Sequence, residues 1–85
     1  MEKIISAELS FLSIGSEKYL EDIEIVLNII KATNLEYKIG VISTSVIGEK
    51  SEVLKLINKI VDEMVEICGF RFDIKLSNLC GCNIE

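Results

Sequence analysis

The sequence contains no histidine, no proline and no tryptophan, and Arg71 is its single arginine. The absence of histidine removes the commonest general base and a major metal ligand together. The P-loop, the dinucleotide-binding glycine pattern, the nucleophile elbow and the metalloprotease helix motif are missing as well. We therefore predict that the protein is not an enzyme and that it uses no cofactor.

Positive charge is also scarce. Nine Lys and Arg residues stand against fourteen Asp and Glu residues, which gives a formal net charge of −5. Proteins that bind nucleic acids need clustered Lys and Arg to neutralise phosphates, and no such cluster occurs here. The sequence therefore excludes a nucleic-acid partner, and an acidic surface tolerates cationic ligands better than anionic ones.

Long apolar runs are missing too. No segment approaches the ~20 apolar residues that span a bilayer, and the N-terminal residues Met1 to Lys3 do not resemble a signal peptide. The three cysteines, Cys68, Cys80 and Cys82, are expected to be free thiols in a reducing compartment. These features predict a cytoplasmic protein with no membrane partner.

The length of 85 residues predicts a single domain, residues 1–85, of which residues 78–85 form a tail. A domain of this size buries only about 60–65% of the surface of its unfolded chain. Hydrophobic residues nevertheless make up 49% of the sequence. More apolar surface is present than one small core can cover, so we expect a homo-oligomer.

Six segments are separated by their hydrophobic period, and their order predicts an α+β, ferredoxin-like βαββαβ fold. Such a fold has a four-stranded antiparallel sheet with two helices on one face. Segments with a period of two predict strands, and segments with a period of 3.6 predict helices. The predicted bounds are Ile4–Ile14, 17–33, 35–42, 44–48, 52–68 and 70–76.

The helical segments carry clear apolar stripes. In the first helix, Ile25 and Ile29 fall off the predicted stripe and suggest a second contact surface. Ser16 and Ser51 are the expected N-terminal caps, and Asn34 is the expected stop of the first helix. The predicted stripes contain Tyr19, Ile23, Val26, Leu27 and Ile30 in the first helix, and Val53, Ile57, Ile60, Val61, Met64 and Cys68 in the second.

Two segments carry a resemblance to a known family. The first runs Ile5-Ser6-Ala7-Glu8-Leu9-Ser10, followed by Ile14-Gly15, and the second runs from Gly40 to Glu49. Together, at this spacing, they resemble the opening strand and the hairpin of the thiamine-binding (YkoF-like, DUF77) family. The resemblance implies a ferredoxin-like fold, dimers or tetramers formed through sheet surfaces, and binding of thiamine or its hydroxymethylpyrimidine moiety without catalysis.

The sequence departs from the family pattern at several positions. Ser13 stands where the family commonly has proline, Ser43 where it has glycine, and Ile47 where it has glutamate. Losing a carboxylate at position 47 is expected to weaken or change ligand recognition. The fold tolerates these changes more readily than ligand specificity does.

The candidate ligand-binding residues are polar residues of the strands and the hairpin. Alternate residues of a strand share a face, so the predicted first strand places two hydroxyls and a carboxylate together. Such groups can hydrogen-bond an aminopyrimidine and offset a thiazolium charge. An ordinary solvated strand face is the competing interpretation. Thr44 best matches the family pattern, and Asp73 shares a face with Lys75. The full set is Ser6, Glu8, Ser10, Ser43, Thr44, Ser45 and Asp73.

Two other functions remain open. The surplus apolar surface and the missing carboxylate at Ile47 suit a regulatory or assembly module without a small-molecule ligand. Cys80 and Cys82 could bind a soft metal ion, but a structural zinc site needs four ligands, and Cys68 lies on the predicted apolar helix face. No metal site is therefore predicted.

Overall fold

The computed structural model describes residues 3–79. It confirms the predicted α+β fold, with a four-stranded antiparallel sheet. Within these residues, no helix is long and apolar enough to cross a membrane. The elements are β1 (Ile4–Ile14), α1 (Tyr19–Lys31), β2 (Glu36–Ile39), β3 (Thr44–Glu49), α2 (Lys50–Met64) and β4 (Gly69–Ser77). The strands lie in the sheet in the order β2-β3-β1-β4.

The central strand β1 sets which side of the sheet each residue occupies. Ala7 pairs with Val46 of β3 and with Leu76 of β4, and Ala7 and Val46 are both buried under the helices. The side chains of Ser6, Glu8 and Ser10 therefore lie on the opposite side, which we call the open face. The prediction that these three residues share a face away from the helices is confirmed.

One apolar core lies between the sheet and both helices. Its completely buried members come from β3, α1 and α2, so each amphipathic stripe meets the same side of the sheet. The core cluster consists of Ile5, Ala7, Leu9, Val26, Ile29, Ile30, Leu35, Val46, Val53, Leu56, Ile60 and Met64.

The predicted stripes need correction at four positions. Tyr19 was expected in the core but is 53% exposed, at the first residue of α1. Ile25 and Ile29 were expected to form a second contact surface. Ile29 instead belongs to the core, and Ile25 packs against it. Leu56 was omitted from the second stripe and is buried.

The predicted helix ends also need correction. Neither helix has a side-chain N-cap: Lys18 and Glu49 occupy the cap positions, and Ser16 instead accepts a hydrogen bond from the Lys18 amide at 3.0 Å, just before α1. Ser51 lies inside α2. At the end of α1, Thr33 Oγ1 donates to the Ile30 carbonyl and accepts from the Leu35 amide. Thr33, rather than Asn34, therefore turns the chain toward β2.

The hairpin between β2 and β3 makes β2 shorter than predicted. The Gly40 amide donates to the Ser43 carbonyl at 2.9 Å, and a Cβ atom at Gly40 would lie 2.8 Å from that oxygen. Only glycine fits this approach without movement of the turn. Val41 and Ile42 form the tip of the hairpin and are almost completely exposed.

Candidate ligand-binding site

Glu8 occupies the middle of the open face. It pairs with Ser45 on β3 and with Lys75 on β4, and Lys38 on β2 pairs with the other side of Ser45. Paired residues on neighbouring strands point to the same side of a sheet. One row across the open face therefore reads Lys38, Ser45, Glu8 and Lys75, with a single carboxylate between two ammonium groups.

Two serine hydroxyls hold the Glu8 carboxylate. Ser43 Oγ donates to Glu8 Oε1 at 2.6 Å, and Ser45 Oγ donates to Glu8 Oε2. The Ser43 hydrogen bond lowers the pKa of Glu8 most, the Ser45 bond adds to it, and Lys75 attracts the ionised form, while partial desolvation acts in the opposite direction. An ionised carboxylate can accept about four hydrogen bonds. Glu8 therefore remains charged and can still accept bonds from a ligand.

Two adjacent clefts meet at Glu8. The first, which we call the β4-side cleft, has a volume of about 210 Å³ and is lined by Glu8, Ser10, Ile42, Ser43, Asp73 and Lys75. The second, the β2-side cleft, has a volume of about 340 Å³ and is lined by Glu8, Lys38, Gly40, Val41, Ile42, Ser43 and Ser45. Glu8, Ile42 and Ser43 line both, so the hairpin tip forms the ridge between them.

The β4-side cleft contains a second carboxylate. Ser10 pairs with Asp73, and Ser10 Oγ makes a long contact of 3.5 Å with the Ile42 carbonyl. Asp73 forms an ion pair with Arg71, whose Nε lies 3.2 Å from Asp73 Oδ2. Exposed ion pairs contribute only about 0–1 kcal/mol, so this pair leaves Asp73 accessible to a competing cation.

Five of the seven predicted site residues line these clefts, and two do not. Ser6 lies on the open face, but it pairs with Ile47 and Ser77 and lines neither cleft. Thr44 pairs with Leu9, is only 6% exposed and lines a separate apolar cleft on the helix side. The structure therefore separates Thr44 from Glu8 by the thickness of the sheet.

Ile47 shows what the missing family glutamate changes. It pairs with Ser6 and with Glu36, which places it on the open face, two residues from Ser45. Its side chain is nevertheless only 8% exposed. A glutamate at position 47 would add a second carboxylate to the open face, in the row beside the row that contains Glu8. With isoleucine, Glu8 is the only carboxylate that β1 and β3 present to the two clefts.

Five lining residues lie outside the predicted set: Lys38, Gly40, Val41, Ile42 and Lys75. Lys75 was considered together with Asp73, whose face it shares, but was not included in the set, and the other four were not considered as site residues. The period-two pattern carries a signal for Lys38, because it places Lys38 on the opposite side from the apolar Tyr37 and Ile39. No sequence pattern indicates Ile42, because the hairpin tip alone brings it beside Glu8.

The cysteine hypothesis falls mainly outside the described residues. Cys80 and Cys82 lie beyond residue 79. Cys68 was predicted to end the second helix, but α2 ends at Met64 and Cys68 lies beyond it. It is nevertheless a half-buried free thiol that packs against the core. Among residues 3–79, no group of three or more Cys, Asp or Glu side chains has the arrangement of a metal site.

The fold is shared with several solved structures. A Thermotoga maritima protein provisionally assigned to thiamine biosynthesis or salvage is 15% identical, with a TM-score of 0.81 over 92% of this chain and 86% of that chain. A DUF77 domain of unknown function from Bacillus cereus is 14% identical, with a TM-score of 0.79 over 91% and 77% of the two chains. A hypothetical protein from Methanocaldococcus jannascii is 16% identical, with a TM-score of 0.77 over 88% and 79%.

These similarities concern the fold. No model of a known protein family matches the sequence, and no curated protein matches it either. The solved structures include a DUF77 domain, so the resemblance that the two sequence segments carry is confirmed at the level of the fold.

Proposed function

We propose that this chain is a non-catalytic, cytoplasmic, homo-oligomeric protein that binds thiamine or its hydroxymethylpyrimidine moiety on the open face. The Glu8 carboxylate, held by Ser43 and Ser45 between two clefts, is the observation that carries the proposal. The fold that the chain shares with a protein provisionally assigned to thiamine biosynthesis or salvage supports the choice of ligand.

The chemistry of the clefts suits such a ligand. An aminopyrimidine offers N–H donors to a carboxylate, and a thiazolium ring carries a positive charge. Glu8 supplies both an acceptor and a negative charge, and Ile42 supplies an aliphatic surface for a ring. Small-molecule sites commonly combine apolar lining with a few fixed polar groups. The hydroxyls of Ser43 and Ser45 fix Glu8 before a ligand arrives, which reduces the entropy cost of binding.

Isothermal titration calorimetry with thiamine and with hydroxymethylpyrimidine tests the proposal. Glu8→Gln keeps the shape of the side chain but removes its charge. It should weaken thiamine binding about tenfold or more, because a charge-assisted hydrogen bond contributes about 1.5–3 kcal/mol. Glu24→Gln is the matched control, since Glu24 is exposed on α1. If neither ligand produces heat or a thermal shift at millimolar concentration, the proposed ligand is wrong.

A second candidate function is an assembly or regulatory module that binds no small molecule. The exposed aliphatic residues Leu12, Ile14, Val41 and Ile42 favour it, because exposed apolar surface of this kind commonly marks a protein interface. Light scattering at micromolar concentration separates the possibilities. A stable oligomer that binds neither ligand supports the module, and a monomer contradicts it as well as the oligomeric part of the first proposal.

A further inference from the structure

The two clefts differ in charge although they share Glu8. The β4-side cleft contains two carboxylates, Glu8 and Asp73, and one ammonium group, Lys75. The β2-side cleft contains Lys38 and otherwise, apart from Glu8, only neutral residues. A ligand that crosses the ridge at Ile42 would therefore meet a more acidic environment at one end and a more basic one at the other.

Among the described residues, Lys38 is the one cationic side chain that lines the β2-side cleft. Within residues 3–79, the ion pairs are Lys59 with Glu63 and Arg71 with Asp73, so Lys38 is in neither. Glu36 is its nearest carboxylate along the sheet, two residues away on the same side of β2. Glu8 lies two strands away, about 10 Å at the usual strand spacing, and its oxygens already accept hydrogen bonds from Ser43 and Ser45.

The hairpin tip offers further donors beside Lys38. Val41 and Ile42 line the β2-side cleft. In the described part of the chain, the amides of these two residues donate to no backbone carbonyl, since the turn is closed by the Gly40 amide alone. An ammonium group and backbone amides together are the donors that proteins use to bind phosphate groups.

We propose that Lys38 and the Val41–Ile42 tip form an anion subsite, which holds the phosphate of a phosphate monoester of the ligand. The heteroaromatic part of that ligand lies beside Glu8 in the β4-side cleft. This inference rests on the proposed function and narrows its ligand to a phosphate ester that carries a hydrogen-bonding heteroaromatic ring at one end and an anionic phosphate at the other. The net charge of −5 opposes any anion at long range, but salt screens that repulsion beyond about 8 Å.

Titration of the full-length chain with four ligands tests the subsite: thiamine, thiamine monophosphate, hydroxymethylpyrimidine and its phosphate. In each pair we expect the ester to bind about fivefold tighter than the alcohol, the effect of one exposed ion pair at its upper range. Lys38→Gln should reduce that ratio to about one. Lys55→Gln on the exposed side of α2 should leave it unchanged. Glu36→Gln should raise it, because the competing carboxylate is removed.

The outcomes separate the two proposals. If none of the four ligands binds, the proposed function is wrong, and the anion subsite is wrong with it. If thiamine binds and its monophosphate binds equally or more weakly, the subsite is overturned and the proposed function stands. An ester preference that survives in Lys38→Gln also overturns the assignment, because the phosphate must then lie elsewhere. Circular dichroism confirms that each variant remains folded.

Discussion

The Ser13–Asp22 hydrogen bond provides a direct test of how β1 and α1 are joined. Asp22, in the first turn of α1, is only 4% exposed, and Ser13 Oγ donates to its Oδ2 at 2.9 Å. A buried carboxylate is costly unless it is hydrogen-bonded, and the N-terminal end of a helix favours negative charge. Ser13→Ala removes the donor while leaving the carboxylate in place.

We expect Ser13→Ala to lower the free energy of unfolding by about 1–2 kcal/mol. Loss of a partner leaves a buried acceptor unsatisfied, which costs about 1–3 kcal/mol, and the half-buried Ser13 places this bond in the lower part of that range. In a domain of this size, each kcal/mol shifts the melting temperature by about 4–8 °C. The melting temperature should therefore fall by roughly 4–16 °C.

Urea denaturation of a double-mutant cycle isolates the bond. Ser13→Ala, Asp22→Ala and the double variant are compared at one protein concentration, because the proposed self-association would add to apparent stability. The loss in the free energy of unfolding of the double variant should be about 1 kcal/mol smaller than the sum of the losses of the two single variants. Asp62→Asn, an exposed change on α2, should stay within about 0.5 kcal/mol of the parent. Effects that add within about 0.5 kcal/mol would refute the coupling.

Three further predictions follow from other parts of the structure. Because the folded-state pKa of Glu8 is lowered, its ionised form stabilises the fold above the ordinary glutamate pKa, and this stabilisation is lost as the pH falls through the lowered value. Below about pH 4, the free energy of unfolding of Glu8→Gln should therefore decline less steeply with falling pH than that of the parent protein. Urea denaturation across a pH series measures this decline, and equal declines in the two proteins would contradict the prediction. Ile60→Ala should lower the free energy of unfolding by about 2–5 kcal/mol, because Ile60 is completely buried. Leu20 is 69% exposed, so Leu20→Ala should lower it by less than about 0.5 kcal/mol in the same urea assay. Gly15 has a φ of 71° and open space around it. Gly15→Ala should therefore lower the free energy of unfolding by about 1 kcal/mol through backbone strain, and Gly15→Asn should lower it less. Equal stability of the three proteins would show that the turn relaxes.

The hydrophobic period was sufficient to predict the order of the elements and the two sides of β1. A shift of one residue in the pairing of β1 would move all of its side chains to the opposite face of the sheet. The alternation of apolar and polar residues therefore specifies strongly which residues of β1 face the helices. The helix faces were harder to predict. Leu56 and Ile29 are buried because each helix contacts the other helix as well as the sheet, and the width of the buried stripe depends on a crossing angle that no single helix encodes.

The burial of the polar side chain of Asp22 was not predicted, for a related reason. Asp22 lies off the predicted apolar stripe of the first helix, so the hydrophobic period gives no indication that it is buried. Its burial depends on Ser13, which is nine residues earlier and lies at the inward-facing end of β1. A hydroxyl at an inward position of a strand was the available signal. Thr44 was misplaced differently: the motif grouped it with Ser43 and Ser45, although β3 begins at Thr44 and alternation turns its side chain to the helix side.

The helix side of the sheet mainly determines stability, whereas the open face carries the residues proposed to bind a ligand. The helix side holds the core cluster, so a substitution such as Ile60→Ala acts on the free energy of unfolding. Glu8 lies on the other side and contacts no core residue through its hydrogen bonds, which go to Ser43 and Ser45. Folding does not require a carboxylate at that position, and two short hydroxyl side chains fix its orientation at little entropic cost. A carboxylate that is held in place but not needed by the core is preorganised for a ligand. At neutral pH, Glu8→Gln should therefore remove the modest stabilisation that the ionised, exposed Glu8 contributes, but its main effect should be on ligand affinity.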